Sequence, residues 1–500
     1  MRAYVPTGLA AAAASCLLAV ACGSAAPAEI STPTASRSSI GAARPASAPV
    51  LDWTEFGYDA QRSDVATGST GIDAANVAHL RRTTVSLPGT VDSSPVYLHG
   101  VSVAGAVRNV IVVTTTYGRT IAIDASGGRI LWDFVPPGYA SWAGSAQITT
   151  ASPIADPDRE FLYAASPDGL INKLSLRDGA EAPGWPVRVT LEPKHEKLAA
   201  ALNIDGPYVI AATGGYIGDI PPYQGHVVLI DRASGHVVSI FNTLCANRRR
   251  LIVPSSCPAS DSAILSRSGA VVEPGGGRIL IDTGNAPWNG TTDFGDSVLE
   301  LTVPGLLLRQ DFTPVDQEHL NTSDLDLGSS APALLGSDRV ALAGKDGVLR
   351  VLALSALDGH PPGDTRRLGG EVQRLQVPGG AELFSAPAVW RHGGRTTMFL
   401  ADEAGTAAYV LRGGRLLRAW ENPTPGTSPV MAGGLVYVYD LSAGGIYVYR
   451  PDSPRPIAKL PGSPGHWNSP VVADGHVIEP EGNANDHSES GTLDIFSAGS

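Results

Sequence analysis

The stretch 281–301 reads IDTGNAPWNGTTDFGDSVLEL and carries many side chains that can act as ligands. Between two short apolar runs it holds amide, hydroxyl and carboxylate oxygens and one indole: Asn285, Trp288, Asn289, Thr291, Thr292, Asp293 and Asp296. A turn between two strands needs only Gly or Asn at its tip, so this loop either lines a site or lies on a polar rim. Asn285, with Trp288 and Asn289, is its best ligand candidate. The alternative is that Asn285 bonds its own local backbone.

Three charged residues further along the chain are also candidates. Asp324 and Asp326 in NTSDLDLGSSAP are one residue apart, so both carboxylates lie on one face of an extended segment. Lys345 follows in the turn AGKDG. The simpler alternatives are a solvated Asx turn for the two acids and an ordinary turn residue for the lysine.

A long loop at 214–226, GGYIGDIPPYQGH, offers a third group of polar side chains: Tyr216, Asp219, Tyr223 and Gln224. Loops over a rigid scaffold are where binding residues gather. We therefore keep this loop as part of a candidate binding surface.

The tail 464–491 is dense in polar residues as well. Oxygens stand at alternate positions, as in the first half of a calcium loop, at Glu481, Asn483 and Asn485. Asp486 stands where an EF-hand requires Gly, and no acid occupies the twelfth position, so an EF-hand is excluded and only a looser calcium site stays open. We expect His466 and Trp467 to pack where the fold closes.

The beginning of the chain indicates export. Residues 1–22 combine one Arg, a short apolar run and small residues before Cys22, which is the layout of a signal peptide and resembles a bacterial lipobox. Cys22 would then be lipidated, and the alternative is cleavage and release. Residues 23–50 are Ala, Ser, Pro and Thr with little to bury, which predicts a flexible linker before a single domain at 51–500.

Cysteine usage and charge narrow the class of protein. Cys16 and Cys22 fall in the leader, so Cys245 and Cys257 remain as a pair that predicts a disulfide in an exported protein. The net charge of −12 argues against binding to nucleic acid or to an anionic membrane surface. The sequence contains no Gly-x-Ser-x-Gly elbow, no P-loop and no His-Glu-x-x-His.

A repeated phrase predicts the fold. Ser followed by Pro, directly or after one Ala, precedes a short apolar strand in SSPVYLHG (93–100), ASPIADPD (151–158), SAPALLGSD (330–338), SAPAVWRHG (385–393), TSPVMAGG (427–434) and NSPVVADG (468–475). Each copy is followed by two more strands. Repeats of several tens of residues, built from strands, indicate a β-propeller.

We predict an all-β, eight-bladed β-propeller of four-stranded antiparallel blades. The blades are expected at 91–138, 149–190, 205–243, 260–313, 329–376, 384–421, 426–460 and 467–497. The last blade has only three strands in sequence, so we expect the N-terminal strand near 82–87 to supply its fourth and close the ring.

Three segments carry a resemblance to a known family. DWTEFGYDAQRSDVATGSTGIDAANVAHL (52–80), AIDASGGRILW (122–132) and GNAPWN (284–289) resemble segments of the pyrroloquinoline-quinone (PQQ) alcohol dehydrogenases, and the similarity covers Asp52 to Phe496. In that family eight blades surround an axial funnel that holds PQQ and a calcium or lanthanide ion. A carboxylate acts as base while the ion polarises the quinone carbonyl.

The resemblance implies a role for individual residues. Asn285 matches the Asn whose amide oxygen binds the metal. Asp324 and Asp326 fall in the region of the catalytic Asp, and Asp326 is also a candidate metal ligand, as in the lanthanide-using members. Lys345 matches the residue that contacts the quinone, and Trp288 is a candidate contact to the cofactor.

Other family positions are changed. The metal-binding Glu is expected at Tyr216, Ile217 or Gly218, and Leu265 stands where the family has the Trp on which PQQ stacks. The chain has no adjacent Cys–Cys pair. Loss of the Glu removes a formal charge from the metal shell, and loss of the indole removes about 0.5–1.5 kcal/mol of ring contact.

These features predict an exported, lipid-anchored PQQ-like propeller that acts as a binding or assembly module with a degenerate cofactor site. Its partner would be a protein or a small polar ligand at the funnel face, with no nucleic acid, and it would meet the membrane through the lipid anchor only. The expected location is the extracytoplasmic side of the cell membrane, or the periplasm or medium if the chain is released. The alternative is a PQQ- and calcium- or lanthanide-dependent alcohol or polyol dehydrogenase.

Overall fold

Eight four-stranded antiparallel blades follow one another along the chain, as the repeats predicted. The computed structural model describes residues 49–363, 367–482 and 486–499. Blade 1 consists of Val96–Val103, Ala106–Thr114, Thr120–Asp124 and Ile130–Phe134; blade 2 of Ile154–Ala155, Phe161–Ser166, Leu170–Ser175 and Val187–Arg188; blade 3 of Asn203–Asp205, Tyr208–Ala212, His226–Asp231 and Val237–Asn242; and blade 4 of Val271–Val272, Arg278–Asp282, Val298–Thr302 and Leu308–Phe312.

The second half repeats this pattern. Blade 5 consists of Ala333–Leu334, Arg339–Leu342, Val348–Ala353 and Gln373–Gln376; blade 6 of Ala388–His392, Arg395–Ala401, Thr406–Arg412 and Arg415–Asn422; blade 7 of Val430–Ala432, Leu435–Tyr439, Ile446–Tyr449 and Pro456–Leu460; and blade 8 of Val471–Ala473, His476–Glu481, Gly491–Ser497 and Arg81–Leu87. First strands of neighbouring blades contact each other, so the first strand of each blade lies nearest the axis.

The ring is closed by an N-terminal strand, which confirms the prediction. Arg81–Leu87 pairs antiparallel with Gly491–Ser497, from Arg81 opposite Ser497 to Leu87 opposite Gly491. Arg82 adds an ion pair to Asp494 at 2.6 Å and one to Glu481 at 3.0 Å. The N-terminal strand therefore completes the four-stranded sheet of blade 8 and joins the two ends of the described chain.

The serines of the repeated phrase join successive blades near the axis. The backbone N–H of Ser94 donates to Ser152 Oγ at 2.8 Å, and the backbone N–H of Ala386 donates to Ser428 Oγ at 2.8 Å. Ser94 Oγ donates to the carbonyl of Ser469 at 3.2 Å, which links blade 1 to blade 8. The serines of the repeated phrase thus form hydrogen bonds between blades.

The tryptophan of AIDASGGRILW packs between blades 1 and 2. Trp132 is 8% exposed, and its Nε1–H donates to the carbonyl of Leu176 at 2.8 Å. A Cβ on Gly179 would lie 2.8 Å from the Trp132 ring, so only glycine leaves room for the indole at that turn. Trp420 repeats the arrangement between blades 6 and 7 by donating to the carbonyl of Pro451 at 2.9 Å.

Helical structure is minor in the described residues. One α-helix spans Gln317–Thr322, and four 3-10 turns span Val77–His79, Tyr139–Ser141, Pro254–Ser256 and Leu327–Ser329. Two short strands, Glu196–Lys197 and Gly214–Gly215, pair outside the blades, and Val65–Ala66 adds a parallel fifth strand to blade 7. No helix in the described part of the chain is long and apolar enough to span a bilayer.

The predicted disulfide between Cys245 and Cys257 is present. By contact density the chain divides into units at 1–46 and 47–500. The signal peptide at 1–22, the lipidation candidate Cys22, the linker up to residue 48, and Asn483 and Asn485 of the tail lie outside the described residues.

Candidate functional site in the axial cavity

An open cavity of about 430 Å³ is lined by residues of several blades and of the connections between them. Its charged lining residues are Lys197, Asp219, Arg267, Asp324, Asp326, Lys345, Glu382, Glu403 and the titratable His466. Its larger apolar and aromatic lining residues are Tyr216, Ile217, Leu265, Phe384 and Trp467. Residues from loops that are far apart in sequence therefore meet in one space, as in a propeller funnel.

The two predicted acids and the predicted lysine form one cluster on this cavity. Lys345 Nζ lies 2.9 Å from Asp324 Oδ1 and 2.6 Å from Asp326 Oδ2. The Asp324 side chain is 66% exposed, whereas that of Asp326 is only 7% exposed. Lys345 therefore pairs with one exposed and one buried carboxylate at once, and the three side chains together keep one net negative charge.

Asn285 completes this arrangement, which we call the acidic cluster: Asn285, Asp324, Asp326 and Lys345. The Asn285 side-chain amide donates to Asp324 Oδ1 at 2.9 Å, and its backbone N–H donates to Asp326 Oδ1 at 2.7 Å. Both Asp326 oxygens thus accept from the cluster. Asn285 Oδ1 is buried and has no hydrogen-bond partner within the described residues.

Glycines hold the buried carboxylate of Asp326 against the neighbouring backbone. A Cβ on Gly284 would lie 2.2 Å from Asp326 Oδ1, and a Cβ on Gly344 would lie 2.4 Å from the Asp326 carbonyl oxygen. No side chain fits at either position, since real Cβ contacts are longer. Close packing therefore fixes Asp326 in the orientation that meets Lys345.

The charge of Lys345 is stabilised by this setting. Burial alone would lower the pKa of the Lys345 ammonium, but the ion pairs with Asp326 and Asp324 outweigh burial and raise that pKa above its usual value. Lys345 is consequently a permanent cation at any physiological pH.

Another part of the lining carries cations in a different setting. Glu196 and Lys197 form a two-residue strand whose side chains alternate. Glu196 is buried and lies 2.9 Å from His226 Nε2, whereas Lys197 lines the cavity. Within the described residues Lys197 has neither an ion pair nor a hydrogen bond of its side chain, which separates it from the fully paired Lys345.

Arg267 lines the cavity with Lys197, and we call these two residues the basic pair. Arg267 Nη2 lies 3.0 Å from Asp92 Oδ2, and its Nη1–H donates to the Asp92 carbonyl at 2.9 Å. His466 Nδ1 lies 2.6 Å from the same Asp92 oxygen. The buried Asp92 thus fixes the position of the guanidinium and of one cavity-lining imidazole.

The electrostatics of the basic pair follow from this geometry. Burial lowers the pKa of the Lys197 ammonium to about 8, and the nearby Arg267 charge lowers it in the same direction, with Asp92 opposing both. Burial would raise the pKa of Asp92, but Arg267 and His466 outweigh burial and keep that pKa below its usual range.

The remaining predicted residues fall in different places. Trp288 is not among the cavity-lining residues, and it packs beside the core that contains Phe294. Asn289 Oδ1 accepts from the backbone N–H of Thr291 at 2.9 Å and of Thr292 at 2.8 Å, so this side chain closes its own loop. Much of the polar loop in 281–301 is therefore held by hydrogen bonds within the loop itself. Of its three ligand candidates, only Asn285 reaches the acidic cluster.

The loop 214–226 does reach the cavity, through Tyr216, Ile217, Gly218 and Asp219. The Tyr223 hydroxyl donates to Asp219 Oδ1 at 2.8 Å. Burial raises the pKa of Asp219 above its ordinary value. His466 and Trp467 were expected only to pack at the closure, yet both line the cavity, and Trp467 lies 4.6 Å from Phe384 between ring centroids.

Sequence reasoning missed the basic pair. Lys197 is adjacent to Glu196, and a sequence gives no sign that Glu196 turns away to His226. Arg267 lies in SAILSRSGA, the segment in which the resemblance predicts the stacking Trp. The resemblance therefore draws attention to Leu265 and gives no reason to expect a cavity-lining charge at Arg267.

The residues present do not fit a tightly held metal and quinone. The positions expected for the metal-binding Glu, Ile217 and Gly218, line the cavity without a carboxylate, and Leu265 lines it where the stacking indole is expected. In the described ranges no group of three or more His, Cys, Asp or Glu side chains could hold a metal ion. Asn285 Oδ1 is a buried oxygen without a partner among the described residues, but both oxygens of Asp326 are already in use, whereas calcium takes about 6–8 oxygen ligands.

Comparisons with known proteins support the fold. A family model described as outer membrane protein assembly factor BamB matches residues 71–250. No curated protein sequence matches the chain. A quinohemoprotein alcohol dehydrogenase from Pseudomonas putida HK5 is 13% identical over 90% of this chain and 80% of that chain, with a TM-score of 0.66.

Two other solved structures are similar. A europium-containing methanol dehydrogenase is 12% identical over 89% of this chain and 98% of that chain, with a TM-score of 0.64. BamB from Moraxella catarrhalis is 14% identical over 84% of this chain and 99% of that chain, with a TM-score of 0.52. At such identities the likeness is one of fold, and the chain is an eight-bladed β-propeller similar in fold to these structures.

Proposed function

We propose that this protein is an extracytoplasmic binding module whose axial cavity takes a small polar ligand, and not a quinone-dependent enzyme. The observation that carries the proposal is the cavity of about 430 Å³ in which Lys345 already occupies both carboxylates of the acidic cluster. A site of this size with convergent polar groups is suited to a small molecule.

The internal ion pairs favour binding over metal-assisted chemistry. A multivalent cation would have to compete with the Lys345 ammonium for Asp324 and Asp326, at distances of 2.9 and 2.6 Å. Displacing that ammonium would leave a positive charge beside the metal, which Coulomb repulsion opposes. Ile217 and Gly218 supply no carboxylate, and the neighbouring Asp219 of the lining already accepts a hydrogen bond from the Tyr223 hydroxyl at 2.8 Å.

The location is proposed from the sequence together with the comparisons. Residues 1–22 resemble a signal peptide with a lipobox, and a disulfide at Cys245–Cys257 suits an oxidising compartment. A similar protein is described as an outer membrane assembly factor, which favours the extracytoplasmic side and a protein partner at the funnel face.

A PQQ- and calcium- or lanthanide-dependent dehydrogenase is the second candidate. It is favoured by one observation, namely that Asn285, Asp326 and Lys345 meet in a single cluster at the cavity. The unpaired, buried Asn285 Oδ1 is the atom that such a site would use.

The two candidates are separated by adding PQQ with calcium or lanthanum to the purified protein. We expect no retained quinone absorbance and no dye-coupled oxidation of alcohols. Turnover that is abolished by Asp326→Asn or Asp324→Asn, and not by Asp452→Asn at an exposed position outside the cavity, would overturn the proposal in favour of the enzyme.

The anchor is tested separately with Cys22→Ser. We expect the wild-type protein to enter the detergent phase of a Triton X-114 extraction and the variant to enter the aqueous phase, because a lipid chain adds a large apolar surface. Equal partition of both proteins would show release instead of anchoring.

A further inference from the structure

The basic pair stands apart from the other charged groups of the cavity because one of its members is unpaired. Lys345 contacts two carboxylates and Arg267 contacts Asp92, but Lys197 has no ion pair or hydrogen bond among the described residues. A cation held near the wall of a partly closed space without a counter-ion is a binding group for an anion.

The position of Lys197 is set by the fold. Its strand pairs Glu196 with Gly215 and Lys197 with Gly214, and the buried contact of Glu196 with His226 fixes which side each residue takes. A one-residue change of register would reverse both side chains. Lys197 is therefore held towards the cavity and does not lie on a free surface.

Arg267 supplies a second fixed cation. Two of its nitrogens bond Asp92, whose oxygens are buried, and this anchoring orients the guanidinium beside Lys197. Asp92 carries one negative charge against the two positive charges of Lys197 and Arg267. One net positive charge is therefore left for a ligand in this part of the cavity.

Two aromatic rings also line the cavity, those of Trp467 and Phe384. Trp467 follows His466 directly and lies 4.6 Å from Phe384 between ring centroids, and both rings line the cavity. Leu265 and Ile217 add aliphatic surface to the same lining. Such a lining holds the apolar body of a small organic ligand.

The acids of the cavity limit the charge of that ligand. Glu382 and Glu403 line the cavity without an ion pair among the described residues, and burial together with the nearby Glu382 raises the pKa of Glu403. A second negative charge on the ligand would meet these carboxylates and would be repelled.

We propose that the axial cavity binds a small organic monoanion, with its oxyanion on Lys197 and Arg267 and its apolar body against Phe384 and Trp467. The inference rests on the proposed binding function and adds the chemical class of the ligand. A carboxylate and a phosphate ester share the oxyanion chemistry, and the probes below distinguish them.

The test uses a series of probes of one shape and different charge. Benzoate, benzamide and benzylamine are titrated into the purified protein by calorimetry, with phthalate and phenyl phosphate as doubly charged probes. We expect benzoate to bind at least about tenfold more tightly than benzamide, since a charge-assisted hydrogen bond replaces a neutral one, and we expect benzylamine and phthalate to bind more weakly still. Phenyl phosphate should also bind more weakly than benzoate, whereas the singly charged diester methyl phenyl phosphate above benzoate in affinity would assign the phosphate source.

Variants separate the charge of Lys197 from its shape. Lys197→Gln should weaken benzoate by about tenfold and leave benzamide unchanged, whereas Lys197→Arg should retain most of the affinity. Lys194→Gln removes the same charge from an exposed residue three positions away and should change nothing. Benzoate should also protect Lys197 from amine-directed labelling, as read by peptide mass spectrometry.

Three results would overturn the inference: equal affinity for benzoate and benzamide, equal affinity of wild type and Lys197→Gln, or no saturable binding of any probe. Each of these leaves the quinone titration to decide the proposed function by itself. Conversely, quinone turnover would remove the proposed function whatever the benzoate series gives.

Discussion

Two regions of one cavity use their charges in opposite ways. In the acidic cluster every charged side chain has its partner within the protein, with Lys345 bridging Asp324 and Asp326. In the basic pair Arg267 is anchored by Asp92, while Lys197 is left without a partner in the described residues. A charge that is satisfied internally stabilises the fold, and one that is unsatisfied has its interaction energy available for a ligand.

The comparison reverses the expectation drawn from the resemblance to dehydrogenases. The residues that match the family motif are the ones the protein has already paired with each other. The residues that do not match it, Lys197 and Arg267, are the better placed to receive a new molecule. The motif residues therefore mark the position of the cavity, and the unpaired charge of Lys197 marks the part of it that is open to a ligand.

The largest expected effect comes from breaking the acidic cluster with Lys345→Ala. The buried Asp326 would be left as an unpaired charge, so we expect the free energy of unfolding to fall by about 3 kcal/mol. Urea denaturation of variant and wild type measures this. The double variant Lys345→Ala with Asp326→Asn should recover part of the loss, and a loss of only a few tenths of a kcal/mol would show that the cluster contributes little.

A smaller loss is expected from Gly284→Ala. The added Cβ would lie 2.2 Å from Asp326 Oδ1 and would force that carboxylate away from Lys345, at a cost of about 2 kcal/mol. Gly336→Ala is the matched control, because no heavy atom lies within 4 Å of its added Cβ. If thermal or urea unfolding finds the two variants equally stable, Asp326 is not held as we describe.

Chemical labelling sharpens the contrast between the two lysines. Because burial and Arg267 lower the pKa of Lys197 to about 8, roughly half of its amine is neutral at pH 8, whereas Lys345 stays protonated. We expect Lys197 to react at least about tenfold faster than Lys345 with an amine reagent at that pH. The charged groups that act on Lys197 are Arg267 and Asp92, and Lys197 in turn lowers the pKa of His487.

The readout is the modified fraction of each lysine-containing peptide, with the exposed Lys194 as an internal reference. Equal reactivity of Lys197 and Lys345 across a window of about two pH units around the lowered pKa would contradict the difference between the two regions.

The smallest loss is expected for Lys197→Gln, which should leave the free energy of unfolding at pH 7 unchanged or raise it, because no partner is lost and the cost of burying the ammonium is removed. The direction in which the stability difference between wild type and Lys197→Gln changes with pH follows from the lowered pKa of Lys197. The folded-state pKa is lowered to about 8 from 10.5, so the unfolded chain binds the proton more tightly, and wild type gains stability relative to the variant as pH rises through this window. A large loss at neutral pH would reveal an internal partner.

The fold was predictable from sequence because its repeats share residue types, Ser and Pro before a strand, as well as a spacing. Ser94 and Ser428 belong to the repeated phrase, and the structure uses both in hydrogen bonds to the next blade. The closing strand was predictable too, since the last blade lacked a fourth strand and Arg81–Leu87 was the unassigned segment. Such features are local, and a sequence displays them directly.

The division of the cavity was not predictable in this way. Trp288 and Asn289 looked equivalent to Asn285 as ligands, yet a turn of backbone places Trp288 beside Phe294 and leaves only Asn285 at the cluster. Lys197 was indistinguishable from a residue paired with Glu196. Which charge finds a partner depends on contacts between blades, and no spacing in the sequence encodes that.

The closing strand has a consequence for how the protein matures. Thr84 donates to Asp494, which lies 410 residues later in the sequence. The strand Arg81–Leu87 therefore has no pairing partner until the end of the chain is present. A polypeptide that is synthesised from its N-terminus must therefore carry Arg81–Leu87 unpaired until synthesis is complete. Loss of a short C-terminal segment would leave an open ring with two free edges, and a protease that recognises extended, unpaired chain could remove such incomplete copies.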